Sequence, residues 1–354
     1  MHGRRRVSAS LASSPEFLEQ SAAKAKSYRA LLGAVLQASA AKSYLDKQIA
    51  LSAKLCELNP EAATSWNYRK RATLANHNSE NTPIGELPAD LRVSVAEAEL
   101  TVSEAALKRN PKSYCAWYHR RWVLDTWIGK DFAVKPFDAV LERECTLTEQ
   151  FLSLDPRNFH GWGYRRYLAE FVGETPETEL AFSRRLIERD LSNYSAWHHR
   201  SAVLPACHGS AAIGGGDAES ESRWRGTMGA MSAAATHIPA DTLLEEQDLW
   251  FQAAVTEPAD QAAWVYARWV SGLGSRLEDP EARARVREKD VKQAREVLAL
   301  EPDATWALVH LANALAAPLD ASEADREEAR RLYARLAEVD VDRSGMYEEW
   351  ARTL

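Results

Sequence analysis

Apolar residues recur along most of the chain at the three-and-four spacing of an amphipathic helix, and period-two strand patterns are essentially absent. A first helix is predicted from near Pro15 to about Gln37, with Phe17, Leu18, Tyr28, Leu31, Leu32 and Val35 on its apolar side. Six charge-rich amphipathic segments follow, at roughly 42–58, 91–109, 138–154, 177–189, 242–256 and 286–300. Each runs into a short turn and a second helical stretch that carries a tryptophan. Asn59-Pro60 leads to Trp66 and Arg69, Asn110-Pro111 to Trp117 and Arg120, and Asp155-Pro156 to Trp162 and Arg165. Asp190-Leu191 leads to Trp197 and Arg200, and Glu257-Pro258 to Trp264, where Arg268 stands one position late. A sixth copy, Glu301-Pro302 with Trp306, is two residues short. Proline cannot continue a helix and is tolerated at the start of the next, so each unit reads as helix, tight turn, helix.

One such hairpin cannot bury both of its apolar faces, so neighbours must stack. The tryptophan spacings, 35 to 67 residues, begin near the roughly 34-residue tetratricopeptide period and exceed it where the connections carry insertions. The prediction is an all-α, crescent-shaped, right-handed α-α superhelix. It forms a single domain over 15–354, with repeats near 42–78, 91–128, 138–172, 177–204, 242–273 and 286–315. A hairpin at 323–354 caps the stack. The stretch 208–240, with Gly214-Gly-Gly216 and little periodicity, reads as an inserted surface loop. It is no phosphate loop, since no strand precedes it and no Gly-Lys-Ser/Thr follows.

Composition narrows the function classes. A net charge of −7 opposes general nucleic-acid binding, which needs clustered basic surface. The 4 cysteines lack C-x-x-C spacing, and no 18-residue apolar run predicts a transmembrane helix. Residues 1–14 read as a flexible basic arm on a cytoplasmic protein; Glu16 and Glu19 interrupt any transit-peptide pattern.

The turns carry more chemistry than packing requires. In register, the starts of the second helices would line one edge with Lys112, Tyr114, Arg157, Asn158, Phe159, His160, Asn193 and Tyr194. Helix N-termini with added cations suit an anion such as a diphosphate. The tryptophans and the arginines three residues on (Arg69, Arg120, Arg165, Arg200) read as structural. For Lys112, Tyr114, Asn158 and His160, functional and structural readings both stay open on residue type alone. Cys115 and His119 share a helix face, but two ligands do not make a zinc site.

The repeated Asn/Asp-Pro-x(5)-Trp-x-x-Arg units resemble the α subunits of protein prenyltransferases over about residues 40–306. Met-His-Gly-Arg at the start, Asn-Pro-Lys-Ser-Tyr at 110–114, Arg-Asn-Phe-His at 157–160 and Ser-Asn-Tyr-Ser at 192–195 resemble the type II, Rab-directed branch. The resemblance implies a crescent wrapped around a separate β subunit that holds the catalytic zinc and the lipid pocket, with none bound by this chain alone. The reaction implied is transfer of geranylgeranyl from geranylgeranyl diphosphate to C-terminal cysteines of Rab GTPases, presented by a Rab escort protein. Lys112 matches the lysine offered to the diphosphate, Tyr114 an aromatic beside the substrate channel, and Asn158, Phe159 and His160 the next repeat's share. Arg157, Asn193, Tyr194 and His119 are counted with this β-facing set. His2, on the arm, could reach the partner's zinc as a plug. Members acting on CaaX peptides carry a glutamine where Cys115 stands here, which disfavours the alternative of an α subunit shared by farnesyltransferase and the type I enzyme. A minimal version is implied, without the leucine-rich-repeat and immunoglobulin-like insertions of the animal form. The rival outside the enzyme class is a tetratricopeptide-like adaptor that binds peptides.

Overall fold

The computed structural model describes residues 14–77, 82–129, 136–172, 175–209, 238–316 and 321–354. His2, the basic arm up to residue 13 and most of the insertion at 208–240 lie outside the described residues. The described chain is helical, with no strand. After α1 (Pro15–Ala40) come α2 (Asp46–Leu58) and α3 (Ala63–His77), then α4 (Ala89–Arg109) and α5 (Tyr114–Val123), which runs on through a π turn, Leu124–Ile128. Next are α6 (Phe137–Leu154), α7 (Phe159–Val172), α8 (Pro176–Arg189) and α9 (Tyr194–Gly209). The remainder is α10 (Ala240–Thr256), α11 (Gln261–Gly274), α12 (Pro280–Leu300), α13 (Thr305–Ala316), α14 (Glu323–Val339) and α15 (Ser344–Thr353). The helices pack as antiparallel neighbours within the hairpins α2–α3, α4–α5, α8–α9, α10–α11 and α12–α13, and α14 packs on α15 at the end of the described chain.

Packing separates the chain into two compact units that part within α7. The first holds residues 1–154 and 163–168, the second 155–162 and 169–354. In the first, α1 lies on the α2–α3 hairpin, with Val35, Ala38, Leu55, Tyr68 and Ala72 buried together. In the second, the last hairpins share a core of Leu308, Leu311, Leu315, Tyr333, Leu336 and Tyr347.

The sequence signature has a local physical cause. Asn59, Asn110, Asp155 and Asp190 each accept, on a side-chain oxygen, the backbone N–H two residues on, at 3.1–3.3 Å. That bend needs a short Asx side chain and suits the proline that follows. Ser113, Asn158, Asn193 and Asp260 then cap the second helices, accepting backbone N–H groups at 2.7–3.4 Å. Each tryptophan folds back over its own turn. The indole N–H groups of Trp66, Trp117, Trp162, Trp197 and Trp264 donate to the carbonyl six residues earlier, at 2.8–3.0 Å. The fixed proline-to-tryptophan interval is therefore the reach of an indole to the carbonyl that opens its hairpin. Trp306 sits only four residues after Pro302 and is half-buried; Arg343 lies over its ring at 5.7 Å.

Candidate functional site

Much of the polar chemistry of the repeats is consumed inside the stack. In the first unit the Arg69 guanidinium grips Glu99 through two nitrogens, at 2.9 and 2.6 Å. Its third nitrogen donates to the Ile49 carbonyl and to Ser52 Oγ, both at 3.0 Å. Arg120 repeats this on Glu144, with the Leu100 carbonyl and Ser103 Oγ behind it. In the second unit Arg200 does so on Glu246, with Leu180 and Ser183. Arg165 reaches Glu149 at 3.4 Å. The acids gripped by Arg69, Arg120 and Arg200 are held from a second side as well. Tyr164 and Tyr266 donate hydroxyl protons to Glu144 and Glu246 at 2.7 Å, and the imidazoles of His119, His199 and His310 meet Glu99, Glu179 and Asp290 at 2.8–3.0 Å. In all five pairs the acid precedes its tyrosine or histidine by 20 residues. A buried carboxylate needs such company, because desolvation otherwise disfavours its charge.

This arrangement corrects the expectation for His119. It is fully buried, stacks between Trp66 and Trp122 at 4.6 and 5.4 Å, and belongs to the acid lattice instead of a partner-facing surface. Burial holds its imidazole below the ordinary value. Burial also pushes the Glu99 carboxyl up, but the His119 hydrogen bond and the Arg69 charge outweigh it and leave Glu99 below its usual range. The neutral imidazole therefore donates from Nε2 to an ionised Glu99. Asn158 and Asn193 are corrected likewise: both are buried, and their side-chain oxygens cap α7 and α9 instead of lining an edge.

What the lattice leaves outside is consistent from repeat to repeat. The first residue of α5, α7 and α9 is an exposed aromatic: Tyr114 (65%), Phe159 (58%) and Tyr194 (48%). Just before Tyr114, half-buried Lys112 lies between the Asx turn of Asn110 and the cap Ser113, at the positive end of α5. Arg157 holds the same turn position before α7; it is exposed and donates to the Ser192 carbonyl at 3.4 Å. His160 is half-buried, its ring 3.9 Å from that of Phe159. In the first unit the exposed ring of Tyr118 lies one turn beyond Tyr114, with the Lys70 ammonium 4.3 Å from its centroid and 5.0 Å from that of Trp122. Burial lowers the pKa of Lys70. The Lys70–Tyr118 contact was missed in the sequence, although Tyr114 and Tyr118 at i, i+4 already signal a shared face.

Cys115, between these tyrosines, points its sulfur at the Glu61 carbonyl (3.8 Å), and burial pushes its thiol up. It is a protonated thiol at neutral pH, poor as nucleophile or metal ligand. Among the described residues no three His, Cys, Asp or Glu side chains gather as a metal site.

Comparison with known proteins gives this geometry a context. The model of the protein prenyltransferase alpha subunit repeat matches residues 96–127, 141–171 and 176–207. Geranylgeranyl transferase type-2 subunit alpha of Rattus norvegicus is 34% identical over 272 residues, which is 77% of this chain and 42% of that protein. The Homo sapiens protein of the same name is 35% identical over 277 residues, with the same coverage. Subunit alpha 2 of Arabidopsis thaliana is 32% identical over 289 residues, 79% of this chain and 37% of that one. The chain thus spans less than half the length of these relatives. Among solved structures, Candida albicans protein geranylgeranyltransferase-I complexed with GGPP aligns with a TM-score of 0.64 over 92% of this chain and 90% of that one. At 22% identity that likeness concerns the fold.

Proposed function

Because this chain is a prenyltransferase α-subunit repeat protein, we propose that it is the α subunit of a heterodimeric type II geranylgeranyltransferase. In this reading it moves geranylgeranyl from its diphosphate to C-terminal cysteines of Rab GTPases, delivered by an escort protein in the cytoplasm. The observation that carries it is the division of labour in the repeats. Their tryptophans, arginines, histidines and asparagines are spent on packing, while exposed aromatics recur at one register position and Lys112 adds a cation at a helix N-terminus. Exposed aromatic rings at a fixed position suit a partner surface or an isoprenoid chain. No helix among the described residues is long and apolar enough to cross a membrane.

Among the described residues the possible metal ligands do not cluster, and the Cys115 thiol is held protonated. In this reading the zinc of the reaction belongs to the β subunit, and no step is derived through it. Lys112 acts on the other half of the chemistry. As the allylic C–O bond stretches, negative charge grows on the departing diphosphate. An ammonium placed beforehand beside it, at the positive end of α5, stabilises that transition state more than the ground state. Co-expression with candidate β subunits tests the assembly. A one-to-one complex that prenylates a Rab C-terminus is expected; a chain always recovered alone would overturn the reading.

A further inference from the structure

In the first unit, the buried arginines Arg69 and Arg120 are each followed by a second cation, Lys70 and Arg121. One step along a helix turns a side chain by roughly 100°, so these two leave the acid lattice and lie across the next hairpin. The Lys70 ammonium rests 4.3 Å from the ring centroid of Tyr118 and 5.0 Å from that of Trp122, both in α5. The Arg121 guanidinium rests 4.4 Å from the centroid of Tyr167 in α7. Tyr118 stands three residues before Arg121 and four before Trp122, so the three are neighbours on the surface of α5. Two cations and three rings thus form one stripe over α3, α5 and the part of α7 that belongs to the first unit.

Neither cation has an acid of its own. Other exposed cations of this unit do: Lys108 and Arg143 share Glu104 at 2.8 and 3.2 Å. The Lys70 ammonium and the Arg121 guanidinium make no hydrogen bond or ion pair among the described residues. Burial lowers the pKa of Lys70, and the Cys115 sulfur alone acts the other way; no carboxylate does. The described contacts bring one carboxylate to the stripe, Asp125, one turn beyond Arg121. It accepts the Tyr167 hydroxyl at 2.7 Å and partly offsets Arg121, which leaves the charge of Lys70 uncompensated. A ring face attracts an ammonium through its quadrupole yet leaves the N–H donors to a stronger acceptor. Lys70 is thus held in place, with half of its surroundings aromatic, and lacks the anion that would complete it.

We infer that this stripe docks an acidic segment of a partner polypeptide, with one carboxylate at Lys70, a second near Arg121, and apolar atoms of the segment on Tyr118 and Trp122. Two separate cations match discrete carboxylates. A dense polyanion such as a nucleic acid needs a broad basic surface, and the net charge of −7 opposes it. The inference does not depend on the transferase reading. It is tested on the full chain by fluorescence anisotropy at low salt with a fluorescein-labelled octaglutamate peptide. Octaglutamine and a thymidine octanucleotide, labelled alike, are the controls. Saturable binding of octaglutamate is expected, with both controls about tenfold or more weaker, the scale of one charge-assisted contact. Lys70→Gln should weaken octaglutamate by about tenfold, whereas Lys70→Arg, which keeps the charge, should stay within about threefold of the parent. Arg121→Gln should cost less than Lys70→Gln, because Asp125 already offsets Arg121. Circular dichroism of the three variants should match the parent, since neither side chain is buried. No saturable binding, equal or tighter binding of either control, or Lys70→Gln indistinguishable from Lys70→Arg would overturn the inference.

Discussion

Arg120→Ala probes the lattice that makes the repeats a stack. The Arg120 side chain is fully buried and makes four contacts: two to Glu144, one to the Leu100 carbonyl and one to Ser103 Oγ. Truncation leaves the Glu144 carboxylate, also fully buried, with only the Tyr164 hydroxyl at 2.7 Å among the contacts described. The loss is dominated by that uncompensated charge, so a destabilisation of about 3–5 kcal/mol is expected. A second change, Glu144→Gln, removes the charge yet keeps an acceptor for Tyr164. Arg120→Ala with Glu144→Gln should therefore recover about 1–3 kcal/mol of the single loss. The control is Arg335→Ala. Arg335 holds Asp303 at 2.7 Å, but both side chains are about half-exposed, and solvent screening leaves that pair with little effect on stability. Urea unfolding followed by circular dichroism, fitted with separate transitions for the two compact units, gives these numbers. A loss for Arg120→Ala no larger than for Arg335→Ala, or a double variant worse than the single, would refute the reasoning.

Other expectations follow from the same contacts. His119 and Glu99 are both held below their ordinary values of 6.5 and 4.5, so each adds stability above that value that disappears as pH falls through the lower folded value. The first unit should lose stability progressively as pH drops from about 6.5, and His119→Gln should flatten the upper part of that profile; an unchanged pH profile would contradict it. Trp117→Phe keeps most of the apolar contact but removes the 2.8 Å indole hydrogen bond to the Pro111 carbonyl, and about 0.5–1.5 kcal/mol should be lost in urea titrations. Tyr114→Ala with Tyr194→Ala should leave folding intact and weaken the complex with a β subunit in calorimetric titrations; the exposure of both rings sets that order of effects.

The hairpins were legible in the sequence because each turn is a local device. An Asx residue, a proline, a cap and a tryptophan act within eight residues, and their spacing survives insertions elsewhere. The acid lattice was less visible. Glu99, Glu144, Glu179, Glu246 and Asp290 lie on charge-rich helices, where one acid resembles its solvated neighbours; only the 20-residue interval to the following tyrosine or histidine marks them. That interval also reveals His119 as interior, since it stands two residues after its tryptophan, as Tyr68, Tyr164, His199 and Tyr266 do. Asn158 and Asn193 misled for another reason: a capping asparagine and a ligand-binding one are the same residue type, and burial alone separates them. Tyr114, Phe159 and Tyr194 are exposed at the first position of their helices, next to the buried caps Ser113, Asn158 and Asn193.

The central claim, that this scaffold presents a cation to a diphosphate on a partner subunit, is tested most directly by Lys112→Ala in the assembled heterodimer. A single-turnover measurement of geranylgeranyl transfer should slow by about 10- to 1000-fold, the scale of one lost electrostatic donor, while complex formation stays at the parent level. A single-turnover rate equal to the parent's in an intact complex would contradict the claim.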